Sequence, residues 1–313
     1  MLNLFLINSY QTYIVARLVI DKDNTPRDKN IFIFLRGVKP LNPSSYIPYD
    51  WRSLVVENNM PEFPTYLKFY KGMTLKRDLL HQIRSLTNCS KFKLHTFQTI
   101  SRIVQLIRSM PECEKTAVLE EGISDRPRSI DELSDLYRYD IKRGQKLLNF
   151  LNYGTSIKNN GFVNKELQFY CLFDEAFPGA KNLTNLFDID KIINIVKPKT
   201  DVKPNSVFFI HTWFHEPTSL QLFELYAALV FQMCRNYSGR KIYHRFHPAQ
   251  REISKDLVRE KFKSNNMEFL ELPNSEPIEG YLFSDTPLTF IGSRSSVLCY
   301  AKRLGKEVDA ALG

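Results

Sequence analysis

Four short stretches of this chain carry residues able to do chemistry. The first is Lys241-Ile-Tyr-His-Arg-Phe-His-Pro-Ala-Gln250, in which His244 and His247 flank Arg245. The apolar Ile242 and Tyr243 read as a short buried strand that ends in a basic loop, and Pro248 holds His247 extended. A cationic imidazole at the carboxyl end of a strand suits a phosphate. An ordinary turn is the alternative use of a His-Pro pair. The second stretch is Glu120-Glu121-Gly122, which follows the apolar Thr116-Ala-Val-Leu119. Neighbouring carboxylates raise one another's pKa, which fits one of them to act as a general base near neutrality, and Gly122 lets the turn form. A solvated acidic turn is the alternative.

The third stretch is Gly292-Ser-Arg-Ser-Ser296. Gly292 permits close backbone approach, and Ser295 and Ser296 offer hydroxyls and amides at a helix start, either for an anion or simply as caps. The fourth is Pro277-Ile-Glu279, where a carboxylate near a phosphate site can take ribose hydroxyls or favour the first turn of a helix. His211, His215 and Glu216 follow Val207–Ile210 on the same expected ligand side.

Other chemistries find little support. Asp188-Ile-Asp190 and Asp21-Lys-Asp23 have the Asp-x-Asp spacing of metal-dependent sugar transferases, but neither follows a buried strand, so no metal is expected. A Walker loop, Gly-x-Gly-x-x-Gly and Gly-x-Ser-x-Gly are absent. Lys and Arg are scattered rather than interleaved with aromatics, so no nucleic-acid partner is expected.

These stretches need elements to position them. Leu2–Ile7 suits a central parallel strand, Ser9 an N-cap, and the residues to Ile20 an amphipathic helix. Strands are predicted at 30–35, 116–119 and 167–173, and helices at 80–86, 97–109, 130–139, 141–152 and 188–196. Residues 40–64 read mostly as loop and 198–204 as a linker. A second series begins at Val207 and alternates strands at 207–210, 241–244, 268–270 and 288–291 with helices at 219–236, 253–264, 277–283 and 295–304. Two such series imply an α/β protein of two facing Rossmann-like domains with a cleft between them, divided as 1–172 and 173–313.

The composition agrees. The 313 residues are 43% hydrophobic and 13% aromatic, enough for packed cores, with a formal charge of +9. Five cysteines without metal-knuckle spacing fit a reducing compartment, and the start lacks the basic region and cleavage site of a signal peptide. No apolar run approaches the roughly 20 residues of a membrane span. A cytoplasmic protein is expected, with its basic balance suited to a nucleotide, an anionic polymer or an anionic membrane surface.

Taken in order, Glu120-Glu121-Gly122, His247-Pro248, Pro277-Ile-Glu279 and Ser295-Ser296 resemble the bacterial sialyltransferases that share an acidic-acidic-Gly, a His-Pro and a Ser-Ser motif. Leu4-Phe-Leu-Ile-Asn-Ser-Tyr-Gln11 is similar to the opening of glycosyltransferase family 52, the lipooligosaccharide and capsule sialyltransferases, to which bacterial polysialyltransferases are related. The resemblance implies a GT-B fold and inversion at the anomeric carbon, with CMP-N-acetylneuraminic acid as donor and no metal or other cofactor. It implies a base at Glu120 or Glu121, His247 on the departing CMP phosphate, Ser295 and Ser296 holding that phosphate, and Glu279 on the ribose. Gly292, Pro248 and His244 complete the expected donor-binding set. The family often has a basic residue directly after His-Pro. This chain has Ala249-Gln250 before Arg251, so Arg245 or Arg251 is the substitute. The expected acceptor is a galactose-terminated oligosaccharide, joined first of all α2,3, with α2,6 and α2,8 open. Peripheral contact with the inner leaflet and a homodimer are compatible with this assignment. A polysialyltransferase, another GT-B transferase, and a non-enzymatic binder of anionic polymers are the alternatives.

Overall fold

The computed structural model describes residues 1–35, 38–50, 66–99, 102–124, 129–130, 132, 167–211, 220–247, 250–293 and 295–312. The helices expected at 130–139 and 141–152 therefore lie almost wholly outside the described residues. The chain forms two compact units: Met1–Glu121 with Arg126–Asp188, and Gly122–Asp125 with Ile189–Gly313. The first sheet continues past the expected boundary at residue 172, because a further strand pairs at its edge.

The first unit is a seven-stranded sheet. β1 (Leu2–Ile7) leads into α1 (Tyr10–Asp23), β2 (Asn30–Phe34) and β3 (Ile47–Asp50). α2 (Tyr66–Thr87), β4 (Phe92–Thr96), α3 (Arg102–Arg108), β5 (Cys113–Leu119), β6 (Gln168–Cys171) and β7 (Leu183–Asn185) follow. The order is β3-β2-β1-β4-β5-β6-β7, and every pairing is parallel. A parallel sheet is covered on both faces, which is why β1 and β2 are unbroken apolar runs. Leu4, Leu6, Ile31, Ile33, Leu94 and Ile107 share one core cluster. Ser9 caps α1, its hydroxyl accepting from the Thr12 amide at 3.1 Å while the Thr12 hydroxyl accepts from the Ser9 amide.

α4 (Ile189–Ile195) opens the second unit, which continues with β8 (Val207–Ile210), α5 (Leu220–Arg235), β9 (Ile242–Arg245) and α6 (Glu252–Ser264). β10 (Leu270–Glu271), α7 (Glu279–Leu282), β11 (Thr289–Ser293), α8 (Ser296–Arg303) and β12 (Glu307–Leu312) complete it. Its sheet has the order β10-β9-β8-β11-β12, again all parallel. Both orders reverse direction beside the first strand of their unit, at β1/β4 and at β8/β11. Open α/β sheets bind ligands outside the carboxyl ends of the strands at such a reversal. The stretch expected to be a linker is anchored: the Lys199 and Thr200 amides donate to Glu276 Oε1 at 2.9 and 2.8 Å.

Candidate functional site

In the second unit the reversal point is tightly built. Gly292 has φ +144°, and a Cβ there would lie 2.3 Å from the Ile210 carbonyl oxygen, so only glycine lets β11 run this close to β8. Beyond β11 the chain passes through Ser293 to Ser295, the N-cap of α8. Its hydroxyl oxygen accepts from the Leu298 amide at 3.3 Å. Capping engages that oxygen as an acceptor and leaves its O–H to be donated. Ser296 begins the helix, and a Cβ on Gly122 would sit 2.9 Å from the Ser296 Cβ. Gly122 thus lies so close to Ser296 that a side chain there would force one of them to move.

Glu279 opens α7. Its Oε2 is enclosed and has no hydrogen-bond partner among the described residues. Burial pushes its carboxyl above the usual range, while its own backbone amide and the Arg245 charge pull the other way. Arg245, at the end of β9, donates to the Pro273 carbonyl and, at 3.2 Å, to the Asn274 carbonyl. These bonds hold the guanidinium where its charge reaches Glu279. Glu276, three residues earlier, carries no ligand role. Its Oε1 accepts from Lys199, Thr200 and the Tyr281 hydroxyl, and its Oε2 from the Thr200 hydroxyl at 2.7 Å. Burial alone would raise the Glu276 pKa, yet these donors together hold it below the usual carboxylate value.

The two histidines of the first stretch part company. His247 is exposed, and its carbonyl accepts from the Gln250 amide at 2.9 Å. His244 is 0% exposed. Its Nδ1 lies 3.0 Å from His211 Nε2, whose Nδ1 lies 2.7 Å from the Tyr226 hydroxyl. Its ring stacks on Phe269 with centroids 4.2 Å apart. Burial depresses the His244 pKa to about 3 and holds His211 well below 6.5, so both are neutral. Their reach to a ligand is indirect: the His211 ring sits 4.1 Å from that of Phe246, the residue before His247. Pro248, His215, Glu216 and Arg294 lie outside the described residues.

In the first unit the paired carboxylates have different surroundings. Glu120 is 0% exposed. Its Oε2 accepts from the Leu172 and Phe173 backbone amides at 2.6 and 3.2 Å, and its Oε1 from the Gln11 side-chain amide at 3.2 Å. It ties the ends of β5 and β6 to α1. Glu121 is exposed, and its Oε1 accepts from the Asn8 side-chain amide at 2.5 Å. Solvent access and a single-residue register thus separate a buried carboxylate from an exposed one. Asn8 and Gln11, named in the sequence only within the Leu4–Gln11 stretch, donate to them.

A cavity of about 390 Å³ lies at the other end of the second sheet, where Thr289 and Glu307 begin their strands. None of the expected site residues lines it. Its cations are occupied: Arg240 donates to the Asn205 carbonyl and to Thr289, and Lys306 to the Ser284 and Thr286 carbonyls. Among the described residues no group of three or more His, Cys, Asp or Glu could hold a metal ion, and no helix is long and apolar enough to cross a membrane.

No protein-family model and no curated protein matches the chain. Solved structures do. One similar structure is the Staphylococcus aureus MnaA–UDP co-structure, with TM-score 0.53, 10% identity, and coverage of 98% of this chain and 78% of that one. Another is the GT-B domain of a Photobacterium damselae sialyltransferase, with TM-score 0.51 and 11% identity, covering 96% of this chain and 88% of that one. A third is a putative UDP-N-acetylglucosamine 2-epimerase from Listeria monocytogenes, with TM-score 0.50 and 9% identity, covering 98% and 78%. At such identities the likeness is one of fold. With its two parallel sheets, each reversing order beside its first strand, the chain has the two-domain, Rossmann-like GT-B fold.

Proposed function

We propose that the chain is an inverting sialyltransferase, moving N-acetylneuraminic acid from CMP-N-acetylneuraminic acid to a terminal galactoside of a bacterial surface glycan. The observation that carries this reading is the enclosed Oε2 of Glu279, which has no hydrogen-bond partner among the described residues. A buried acceptor left without a donor is costly, and a ribose hydroxyl is a suitable donor. Glu279 belongs to the same unit as Arg245, His247, Ser295 and Ser296, the groups suited to a phosphate.

In this mechanism the Glu121 carboxylate takes the proton of the acceptor hydroxyl as its oxygen attacks the anomeric carbon. The bond from that carbon to the CMP phosphate oxygen breaks, and its electron pair leaves with CMP. His247 in its imidazolium form donates to the departing phosphate, and the Ser295 and Ser296 hydroxyls stabilise its growing charge. A single phosphate leaves, so these donors suffice where diphosphate donors usually require a divalent ion. Glu120 holds the strand end that carries Glu121. The linkage proposed is α2,3. The scattered positive charge suits work beside an anionic inner leaflet, and a homodimer is compatible with it.

Thermal denaturation with nucleotides tests the donor. CMP is expected to raise the melting temperature in the wild type and much less in Glu279→Gln. A UDP-sugar enzyme is the second reading, since the similar S. aureus structure holds UDP. Stabilisation by UDP but not CMP would replace the first reading with that one. Stabilisation by DNA or a polyanion alone would favour a binding protein.

A further inference from the structure

Asn8 is the residue immediately after β1, at the reversal point of the first sheet, and it is 5% exposed. Its amide has a fixed direction. Asn8 Nδ2 donates to Glu121 Oε1 at 2.5 Å, and Asn8 Oδ1 faces the hydroxyl of the fully buried Thr12 at 3.1 Å, whose one proton is shared with the Ser9 carbonyl at 2.8 Å. Thr12 is held in turn by the Ser9 capping box, since its hydroxyl also approaches the Ser9 carbonyl at 2.8 Å and receives the Ser9 amide at 3.1 Å. A carboxylate can only accept, so the end of the amide that meets Glu121 must be the NH2. The α1 cap thereby reaches an exposed carboxylate through two buried side chains.

Only one of the two acidic residues is served in this way. Glu120, the other charged group at this strand end, is engaged by Gln11 and by the Leu172 and Phe173 amides. Each acidic residue has its own amide partner from the segment 8–11. An asparagine at this place does two things to Glu121. It holds one carboxylate oxygen in place, and it stabilises the charged form of the group.

We infer that Asn8 is the positioning residue for Glu121, orienting its carboxylate and keeping it ionised for proton abstraction. This rests on the reading of Glu121 as the base. The chain Thr12 to Asn8 to Glu121 sets the angle of the carboxylate, and the helix cap sets the angle of Thr12. Asparagine is needed rather than aspartate, because a second carboxylate at this distance would share a proton with Glu121 and remove its charge.

Asn8→Ala and Asn8→Asp test this by transfer kinetics across pH. For Asn8→Ala, kcat is expected to fall about 10- to 100-fold with the CMP-dependent thermal shift unchanged. The acid limb of the kcat–pH profile should move up by about one unit, and further still in Asn8→Asp. Wild-type kcat with an unmoved acid limb in Asn8→Ala would overturn the inference. Carbon-13 NMR titration of the Glu121 carboxyl in the wild type and in Asn8→Ala decides the same point without any turnover. A raised Glu121 pKa in the variant supports the inference, and an unchanged one overturns it. Loss of the base reading would show separately, as full transfer activity in Glu121→Gln.

Discussion

His211 Nε2 and His244 Nδ1 lie 3.0 Å apart inside the second unit, the pair enclosed by Phe209, Phe246, Phe262 and Phe269. One ring donates and the other accepts, which requires that at least one of them be neutral, and burial disfavours a charge on either. Burial holds both pKa values down, that of His244 to about 3. Above the ordinary imidazole pKa of about 6.5 neither folded nor unfolded chain binds a proton here, and the full stability is present. Below it the unfolded chain takes up protons that the folded one refuses, so stability is lost as pH falls towards 3.

The expected slope is about 1.4 kcal/mol per histidine for each pH unit below about 6.5. His95 in the first unit, also buried and held well below 6.5, should act likewise there. Melting temperatures between pH 7.5 and 5 check this. The double variant His211→Phe, His244→Phe should flatten the dependence of the second unit, and an unchanged slope would show that other groups cause it.

Glu120 and Glu121 should respond differently to the same substitution. Glu120→Gln replaces the charged acceptor of the Leu172 and Phe173 amides with a neutral carbonyl and turns an NH2 towards the Gln11 side-chain amide, at a cost of about 2 kcal/mol. Glu121→Gln should leave the unfolding free energy within about 0.5 kcal/mol of the wild type, as for an exposed position, while abolishing transfer. Chemical denaturation and a transfer assay on both variants separate the roles, and equal stability losses would contradict the division.

The apolar runs of β1, β8 and β11 and the cap at Ser9 were legible because burial on both faces and capping leave plain marks on a sequence. The strands that escaped are less apolar. β4 holds Lys93 and His95, β3 holds Pro48, and β12 at the sheet edge begins with Glu307. β3, β7 and β12 are edge strands, which need little apolar sequence. The same limit applied to the site. Sequence brought Glu120 and Glu121 forward together, but which one points inward depends on where β5 ends, and a one-residue shift exchanges them. His244 showed the same ambiguity: two histidines near a strand end look alike until the strand places one in the core. Glu276 gave no signal, lying in a Pro-Asn-Ser-Glu-Pro loop whose packing against Lys199 and Thr200 is distant in sequence.

Gly292→Ala should be severely destabilising. The added Cβ meets the Ile210 carbonyl oxygen at 2.3 Å in a backbone conformation that alanine resists. A loss on the order of 3 kcal/mol or more is expected, with the CMP response of the second unit lost as well. Gly305→Ala is the control, since it has positive φ but nothing within 4 Å of its Cβ, and should cost about 1 kcal/mol. Equal costs would show that β11 and β8 can separate freely.

Glu276→Ala leaves the Lys199 and Thr200 amides and the Thr200 hydroxyl without their acceptor, while the Tyr281 hydroxyl keeps the Thr200 carbonyl at 3.1 Å. A loss of about 2 to 4 kcal/mol is expected, with faster amide exchange confined to residues 199–200 and the start of α7. Because the Glu276 pKa is held down, its contribution is present above the unfolded carboxylate pKa and fades as pH falls through the folded value. Unaltered exchange at Lys199 and Thr200 would contradict this anchoring.

Incubation with CMP-N-acetylneuraminic acid and a lactoside, with detection of free CMP and of the sialylated product, is the most direct measurement. A single sialyl-lactoside formed with one CMP released per transfer, and lost in Glu121→Gln and His247→Ala, is the expected result. No CMP release from a protein that UDP stabilises, or full transfer by both variants, would contradict it.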